Sequence, residues 1–336
     1  MRKTLIGLVV RNILSGTRTT LIRLLVRSVL ILSVLSVAAY FVVIYLISNV
    51  NICMPNCIGA NLIARDLHGL DLSRVDFIEA QLRLADLSGV NLRQADLSGA
   101  SLVGANLKNA DLSQASLIGA DLTGAFLGGV RLSGADLSGA ILIGADLSRV
   151  DLTEVQLAGA TLTQAVLVGA NLRGAALRGV EFVSANLASA DLRHADLSGA
   201  SLSRADLRGA ILIATDLSGA WLNLTNLIGA DLTRANLAGA SLIGSRLDSA
   251  NLYASSLAGA LLVGATFYGA DLRSAHLEDA RVSTTQLEQN DLLLDPVLRE
   301  LNELKLREIK QDSKLQGVQL DSKTRLPSTL TLRIHP

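Results

Sequence analysis

Aromatic residues make up only 3% of this 336-residue chain, although half of it is hydrophobic. A globular protein of this length is expected to fold as about two domains around aromatic-rich cores. The scarcity therefore points to a repetitive core of small, interchangeable aliphatic side chains. Two cysteines and four histidines are too few to hold a scaffold together by disulfides or metal ions. Thirty basic residues balance 30 acidic ones, which removes the simplest nucleic-acid argument, a globally basic chain. That balance is a cancellation: residues 1–56 carry six cations and no acid, whereas residues 57–290 carry 16 basic and 23 acidic side chains.

The six cations, Arg2, Lys3, Arg11, Arg18, Arg23 and Arg27, define a basic leader over 1–27. From Ser28 to Ile47 there follow 20 residues without a charge. At about 1.5 Å per residue such a helix crosses the roughly 30 Å hydrocarbon layer. Tyr40 and Tyr45 lie toward its far end, where aromatic rings sit at an interface. Residues 28–48 are therefore expected to form a transmembrane helix and to make the lipid bilayer a partner. The run is longer than the about 7–15 apolar residues of a cleaved signal peptide, and no small-residue cleavage site follows it, so a signal-anchor is expected. The basic side would stay cytoplasmic, placing the rest of this single-pass chain on the extracytoplasmic side. Residues 4–14 are open to two readings, an interfacial helix on anionic headgroups or a disordered leader.

After a juncture at 49–56, a five-residue period governs residues 57–290. Every fifth position from 62 to 287 is Leu except Phe77, Phe182, Phe267 and Val282, giving 46 centres without an insertion or deletion. Two residues before the centre stands Ala, as in Ala85, Ala95 and Ala105; one before it often stands Asp or Asn, and two after it Gly. Neither the helical period of about 3.6 nor the strand period of about 2 fits. One large and one small inward side chain per five residues predicts a solenoid that turns a corner at every pentad, each coil stable only against its neighbours.

Stretches such as Ala95-Asp96-Leu97-Ser98-Gly99 and Ala235-Asn236-Leu237-Ala238-Gly239 resemble the motif of the pentapeptide-repeat family, A-(D/N)-L-x-x. The resemblance implies an all-β fold, a right-handed quadrilateral β-helix with four pentads per coil. Sorting residues by a 20-residue period agrees with four faces. For the residue after the centre, one face runs Ile63, Arg83, Val103, Thr123, Ile143, Thr163, Val183 and on to Ile243 and Val263, and eight of its 12 members are β-branched. Two faces away, the residue before the centre is Asp at 71, 111, 151, 191, 231 and 271, with Arg93, Arg173, Arg193 and Arg273 nearby to pair with the acids. About 11 coils at about 4.8 Å make a rod roughly 55 Å long. Arg65, Leu70 and Val75 depart from Ala in the first repeats, as expected of a terminal cap.

Beyond Asn290, Asp295-Pro296 supplies an N-cap followed by proline at the first helical position. Val297, Leu298, Leu301, Leu304 and Ile309 then share a broad face, and Asp295, Arg299, Glu303 and Arg307 follow at i, i+4. A helix within 291–312 is expected to cap the last coil, with a regulatory tail as the alternative, and 313–336 forms a polar tail.

No catalytic constellation is evident, and the chain is not expected to be an enzyme. His68, His194, His276 and His335 are scattered, no Ser has a partnered base, and the glycines match no phosphate-binding loop. No metal or cofactor is expected. Cys53 and Cys57 flank Met-Pro-Asn and admit either a disulfide or, for Cys57 at a pentad centre, simple burial. The favoured function is a membrane-anchored scaffold for protein–protein interaction. Val103, Ile143, Val183, Ile243 and Val263 form the candidate face, taking an unidentified protein or a second copy of the chain. The family also suggests an alternative, a DNA-mimicking rod that binds a type II topoisomerase such as gyrase and gives quinolone resistance. A net charge of −7 over residues 57–290 is mild for that role, since duplex DNA carries one charge per about 1.7 Å. Nucleic acid itself is not an expected partner.

Overall fold

The computed structural model of the protein describes residues 55–282, 319–321 and 323–325. The leader, the expected membrane span 28–48, Cys53 and the expected capping helix 291–312 lie outside the described residues. Among the described residues no helix is long and apolar enough to cross a membrane.

The pentad accounts for all five of its backbone N–H groups, as a buried backbone must. In Ala95–Gly99, the Asp96 N–H donates back to the Val75 carbonyl of the previous coil at 3.1 Å. The N–H groups of Leu97 and Gly99 donate forward, to the carbonyls of Ser116 at 2.7 Å and Ile118 at 2.9 Å. Ala95 closes the preceding turn by donating to Leu92 O at 3.1 Å. Only the Ser98 N–H is left, and it is taken by the Asp96 carboxylate at 2.9 Å. The Asp or Asn before the centre is thus a local cap for the one donor that neither ladder nor turn uses. The same bond recurs from Ser73 to Asp71 and from Ala188 to Asn186.

Every bridge is parallel, and within the repeat region each pairs residues 20 apart. They define four walls, numbered here by their first bridge residues: wall 1 from Asn56, wall 2 from Asn61, wall 3 from Asp66 and wall 4 from Asp71. A corner follows each bridge. Its third residue has a positive φ, between 53° and 72°, at every corner from Gly59 to Asp279 except Glu154. Positive φ at that position is the mark of a type II turn and favours glycine.

The centre residues and the small residues before them fill the interior. From Leu82 to Leu277 the Leu and Phe centres are at most 2% exposed. Burying a leucine of this kind contributes roughly 2 kcal/mol, realised only when the next coil is in place. Phe77, Phe182 and Phe267 are fully buried on walls 1, 2 and 3, so they form no aromatic stack. Polar residues at the small position remain satisfied: the Thr215 hydroxyl donates to Leu192 O at 2.7 Å and that of Ser245 to Leu242 O at 2.7 Å. The first coil is looser, with Arg65 exposed, Leu70 half-buried and Val75 buried.

Two departures interrupt this regularity. Among the described residues the ladder lacks bridges only between Arg131 and Asp151 on wall 4 and between Gln156 and Ala176 on wall 1. The corner between them holds Glu154, the one without positive φ, and the Glu154 carboxylate accepts a bond from Ser133 Oγ at 2.5 Å. The second departure is at the C-terminal end. The regular pentads are described up to Val282, yet the ladder continues: Asp271 bridges Gln319 on wall 4 and His276 bridges Arg325 on wall 1. Residues 319–325 therefore add two sides of a further coil. Asp321 fastens them, accepting from the Ser274 N–H and hydroxyl at 2.8 Å each and from Thr324 N at 2.9 Å. Burial alone would raise the Asp321 carboxyl, but these donors hold it well below the usual carboxylate range.

Candidate interaction surface

The residue after each centre points outward at a corner, because the centre itself must point in. On wall 2 this places the expected face along one edge of the solenoid. Ile63 is 46% exposed, and Val103, Thr123, Ile143, Thr163 and Val183 are half-buried. Ile243 and Val263, expected on the same open face, are instead 1% and 0% exposed. The five candidate residues thus fall into two groups on one wall, an open one (Val103, Ile143, Val183) and a covered one (Ile243, Val263). Ser203 and Asn223, which belong to the same row, are also fully buried. The Asn223 side-chain oxygen accepts from the Ser241 hydroxyl at 2.7 Å and from the Ile243 N–H at 2.8 Å.

Wall 4 is charged but locally neutralised. Its bridge residues alternate between an acid and a non-acid from Asp71 to Asp271, so no two carboxylates stack directly. At two of these steps the Asn amide donates to the acid below, Asn91 to Asp71 at 2.9 Å and Asn171 to Asp151 at 3.1 Å. Elsewhere arginine supplies the partner: Arg273 meets Asp271 at 2.6 Å, Arg193 pairs with Asp191, and Arg93 and Arg131 converge on Asp111 at 3.5 and 3.0 Å. Asp111 is only 6% exposed. Its burial would raise the carboxyl, but the Ser113 hydroxyl and N–H and the Arg131 guanidinium together hold it down to about 2. The Arg193 side chain likewise lowers Asp191.

The candidate chemistry is dispersed. His68 sits at a wall 3 corner beside Asp66 at 3.4 Å, His194 at a wall 4 corner and His276 at a wall 1 bridge; His335 lies outside the described residues. Among the described residues no group of three His, Cys, Asp or Glu is placed to hold a metal ion. Cys57, 1% exposed, occupies the first pentad centre, and its sequence neighbour Cys53 lies outside the described residues. A shallow recess lies where the chain resumes the ladder, lined by Tyr253, Ala254, Ser274, His276, Lys323 and Arg325. One of its cations, Arg325, is engaged by Glu278 at 3.0 Å.

Sequence reasoning missed three things: the capping of the spare N–H by the motif's own Asp or Asn, the return of 319–325 to the ladder, and the division of wall 2. The first was readable in principle, since the motif residue stands two before the donor it caps. The second depends on where a segment remote in sequence comes to lie, and the third has no local mark along the row.

The family model for pentapeptide repeats matches eight times, from residues 56–94 to residues 250–289. Among solved structures, HetL, a pentapeptide repeat protein involved in heterocyst differentiation regulation from the cyanobacterium Nostoc sp. strain PCC 7120, is 34% identical. That match covers 71% of this chain and 93% of HetL with a TM-score of 0.25. A pentapeptide repeat protein from the thylakoid lumen of Arabidopsis thaliana is 32% identical over 36% of this chain and 71% of its own, with a TM-score of 0.17. QnrB1, a plasmid-mediated fluoroquinolone resistance protein, is 20% identical over 78% of this chain and 92% of its own, with a TM-score of 0.18. No curated protein matches the chain. With the repeats matched across most of its length, the chain belongs to the pentapeptide-repeat family, whose fold is a right-handed β-helix.

Proposed function

We propose that the protein is a non-enzymatic, membrane-anchored scaffold that offers the open half of wall 2 to a protein partner. The observation that carries this reading is the outward row of Val103, Ile143 and Val183, interleaved with Thr123 and Thr163. A straight row of β-branched side chains at one-coil spacing is a flat apolar strip of fixed geometry, suited to another protein's surface rather than to a small molecule. The dispersed histidines and the self-paired acids support a binding role over a chemical one. The anchor is the uncharged run 28–47 behind a leader of six cations, which would hold the solenoid at a bilayer, on the extracytoplasmic side.

The duplex-mimic alternative is weaker, because three of the six wall 4 acids, Asp111, Asp191 and Asp271, are already paired with arginines and every acid on that wall is separated from the next by a non-acid. DNA-binding enzymes respond to a dense uncompensated charge. Chemical crosslinking of the full chain in its membrane tests the scaffold reading. Replacing Val103, Ile143 and Val183 together by Lys is expected to abolish the crosslinked species; their persistence overturns the assignment of this strip. Protease accessibility of the repeat region in intact cells tests the topology, and a cytoplasmic location would restore the topoisomerase alternative, to be decided by a supercoiling assay.

A further inference from the structure

In its middle coils the solenoid is continuous on two walls and parted on the other two. The bridges of wall 2 run unbroken through Asp121, Ile141, Thr161 and Glu181, and those of wall 3 through Phe126, Asp146, Val166 and Asn186. Over the same coils wall 4 lacks the bridge between Arg131 and Asp151, and wall 1 that between Gln156 and Ala176. The neighbouring ladder bonds are missing too. Among the described residues the N–H groups of Leu132, Gly134 and Asp151 on wall 4, and of Leu157, Gly159 and Ala176 on wall 1, make no backbone hydrogen bond. Folded proteins leave few buried N–H groups in that state, and each one calls for an explanation.

The two gaps are one seam. On wall 4 Asp151 is parted from the coil before it and still bridged to Asn171; on wall 1 Gln156 is bridged back to Asp136 and parted from the coil after it. The chain therefore crosses the seam at Thr153-Glu154-Val155, the one described corner without positive φ. Beside the gaps Val130 and Val155 stand at the position where Ala is usual. Each is 5% exposed, against 0–2% for Val75, Val90, Val150 and Val180, so solvent reaches the core along the seam. The Glu154 carboxylate, accepting from Ser133 Oγ at 2.5 Å across the wall 4 gap, holds by a side chain what the backbone no longer holds. We propose that this seam is a hinge. The solenoid opens and closes at the corner of walls 4 and 1, and the intact corner between walls 2 and 3 is its axis. When the seam is open, water takes the freed N–H groups; when it closes, the ladder takes them. The row from Val103 to Val183 lies along the axis, since it follows the wall 2 centres, so opening makes that strip concave and closing straightens it. The hinge itself does not rest on the scaffold reading, which concerns what binds the strip.

Amide hydrogen exchange of the purified full chain tests the hinge. Residues 131–134 and 154–159 are expected to exchange about 100-fold faster than the equivalent residues 111–114 and 136–139 of the preceding coil, whose ladder bonds are made. A lock is supplied by Ser133→Cys with Thr153→Cys, outward residues on either side of the wall 4 gap. Coils stacked at about 4.8 Å bring such a pair within disulfide reach, so the bond forms only when the seam closes. It is expected to form under mild oxidation and to slow exchange about tenfold at 131–134 on wall 4 and also at 157–159 on wall 1, with reduction reversing both. Thr153→Cys with Arg173→Cys, across a bridge that is intact, is expected to oxidise and to slow neither. Exchange at 131–134 and 154–159 as slow as in the preceding coil overturns the proposal. A lock that slows wall 4 alone also overturns it, because the gaps are then separate frays. Failure of the Ser133–Thr153 pair to oxidise does so too, since the seam is then fixed open.

Discussion

The two halves of wall 2 share a backbone, a ladder and a sequence pattern, and they meet opposite surroundings. Val103, Ile143 and Val183 look out at solvent, whereas Ile243 and Val263 are sealed. From Val103 to Val183 the row alternates valine or isoleucine with threonine; in the sealed half Asn223 turns its side-chain oxygen toward Ser241 and Ile243. One kind of corner residue can thus be a docking strip or a packing surface. The difference teaches that in a solenoid the role of an outward residue is set by what lies against the wall, because the wall itself is uniform.

The sharpest way to break the comparison is to put a charge in each half. Val263→Asp puts a carboxylate at a fully buried position and is expected to cost about 3 kcal/mol, whereas Val103→Asp is expected to stay within about 0.5 kcal/mol. Urea midpoints of the two variants decide it, and equal losses would mean that the halves do not differ. Next in size, Asn223→Ala leaves the buried Ile243 N–H without its acceptor and is expected to cost about 2 kcal/mol. Asn91→Ala, on exposed wall 4, removes only an amide that solvent can replace and should cost a few tenths of a kcal/mol by the same measurement.

Asp111 supplies a third, pH-dependent contrast, an outward site sealed by local charges. Its carboxyl is held at about 2 against an ordinary 3.8. A depressed acid stabilises the fold fully above the unfolded value and loses that contribution as pH falls through the folded one. Stability should therefore decline by about 2 kcal/mol between pH 5 and pH 2 on this account. Asp111→Asn should flatten that part of the profile, whereas the replacement of Asn223 should leave it unchanged. A further contrast lies at the corners. A Cβ at Gly129 would lie 2.4 Å from the Asn109 side-chain oxygen, with φ at +72°, whereas at Gly139 it meets nothing within 4 Å. Gly139→Ala should cost about 1 kcal/mol for the backbone alone, and Gly129→Ala more.

Much of this molecule is legible residue by residue. Leu97 must point inward and Ser98 outward because a five-residue period with one large centre permits no other closed path. The 20-residue superperiod seen in Val103, Thr123, Ile143, Thr163 and Val183 corresponds to the bridges 20 residues apart. The separation of Phe77, Phe182 and Phe267 onto three walls likewise follows from counting. The candidate face was legible as a row but not as two surfaces, since nothing local distinguishes Val183 from Val263. Glu154 resists reading for a similar reason: Gln164 and Arg149 take positive φ at equivalent corners, so residue type alone does not mark where the ladder parts.

The amino-acid sequence by itself determined the repeat, its four walls, the inward leucine and alanine columns and the pentads in which an Asp or Asn stands two residues before the spare N–H. All of these are interactions within a pentad or between pentads at a constant separation. Only the tertiary structure decided that the ladder resumes at Gln319 after leaving at Val282, that Asp321 fastens the added coil, and that wall 2 is open at Val103 and closed at Val263. The first two outcomes join parts of the chain at no fixed spacing, and a periodic pattern carries no information about where a non-periodic segment will dock; the third is a difference in burial along a row whose residue types are alike.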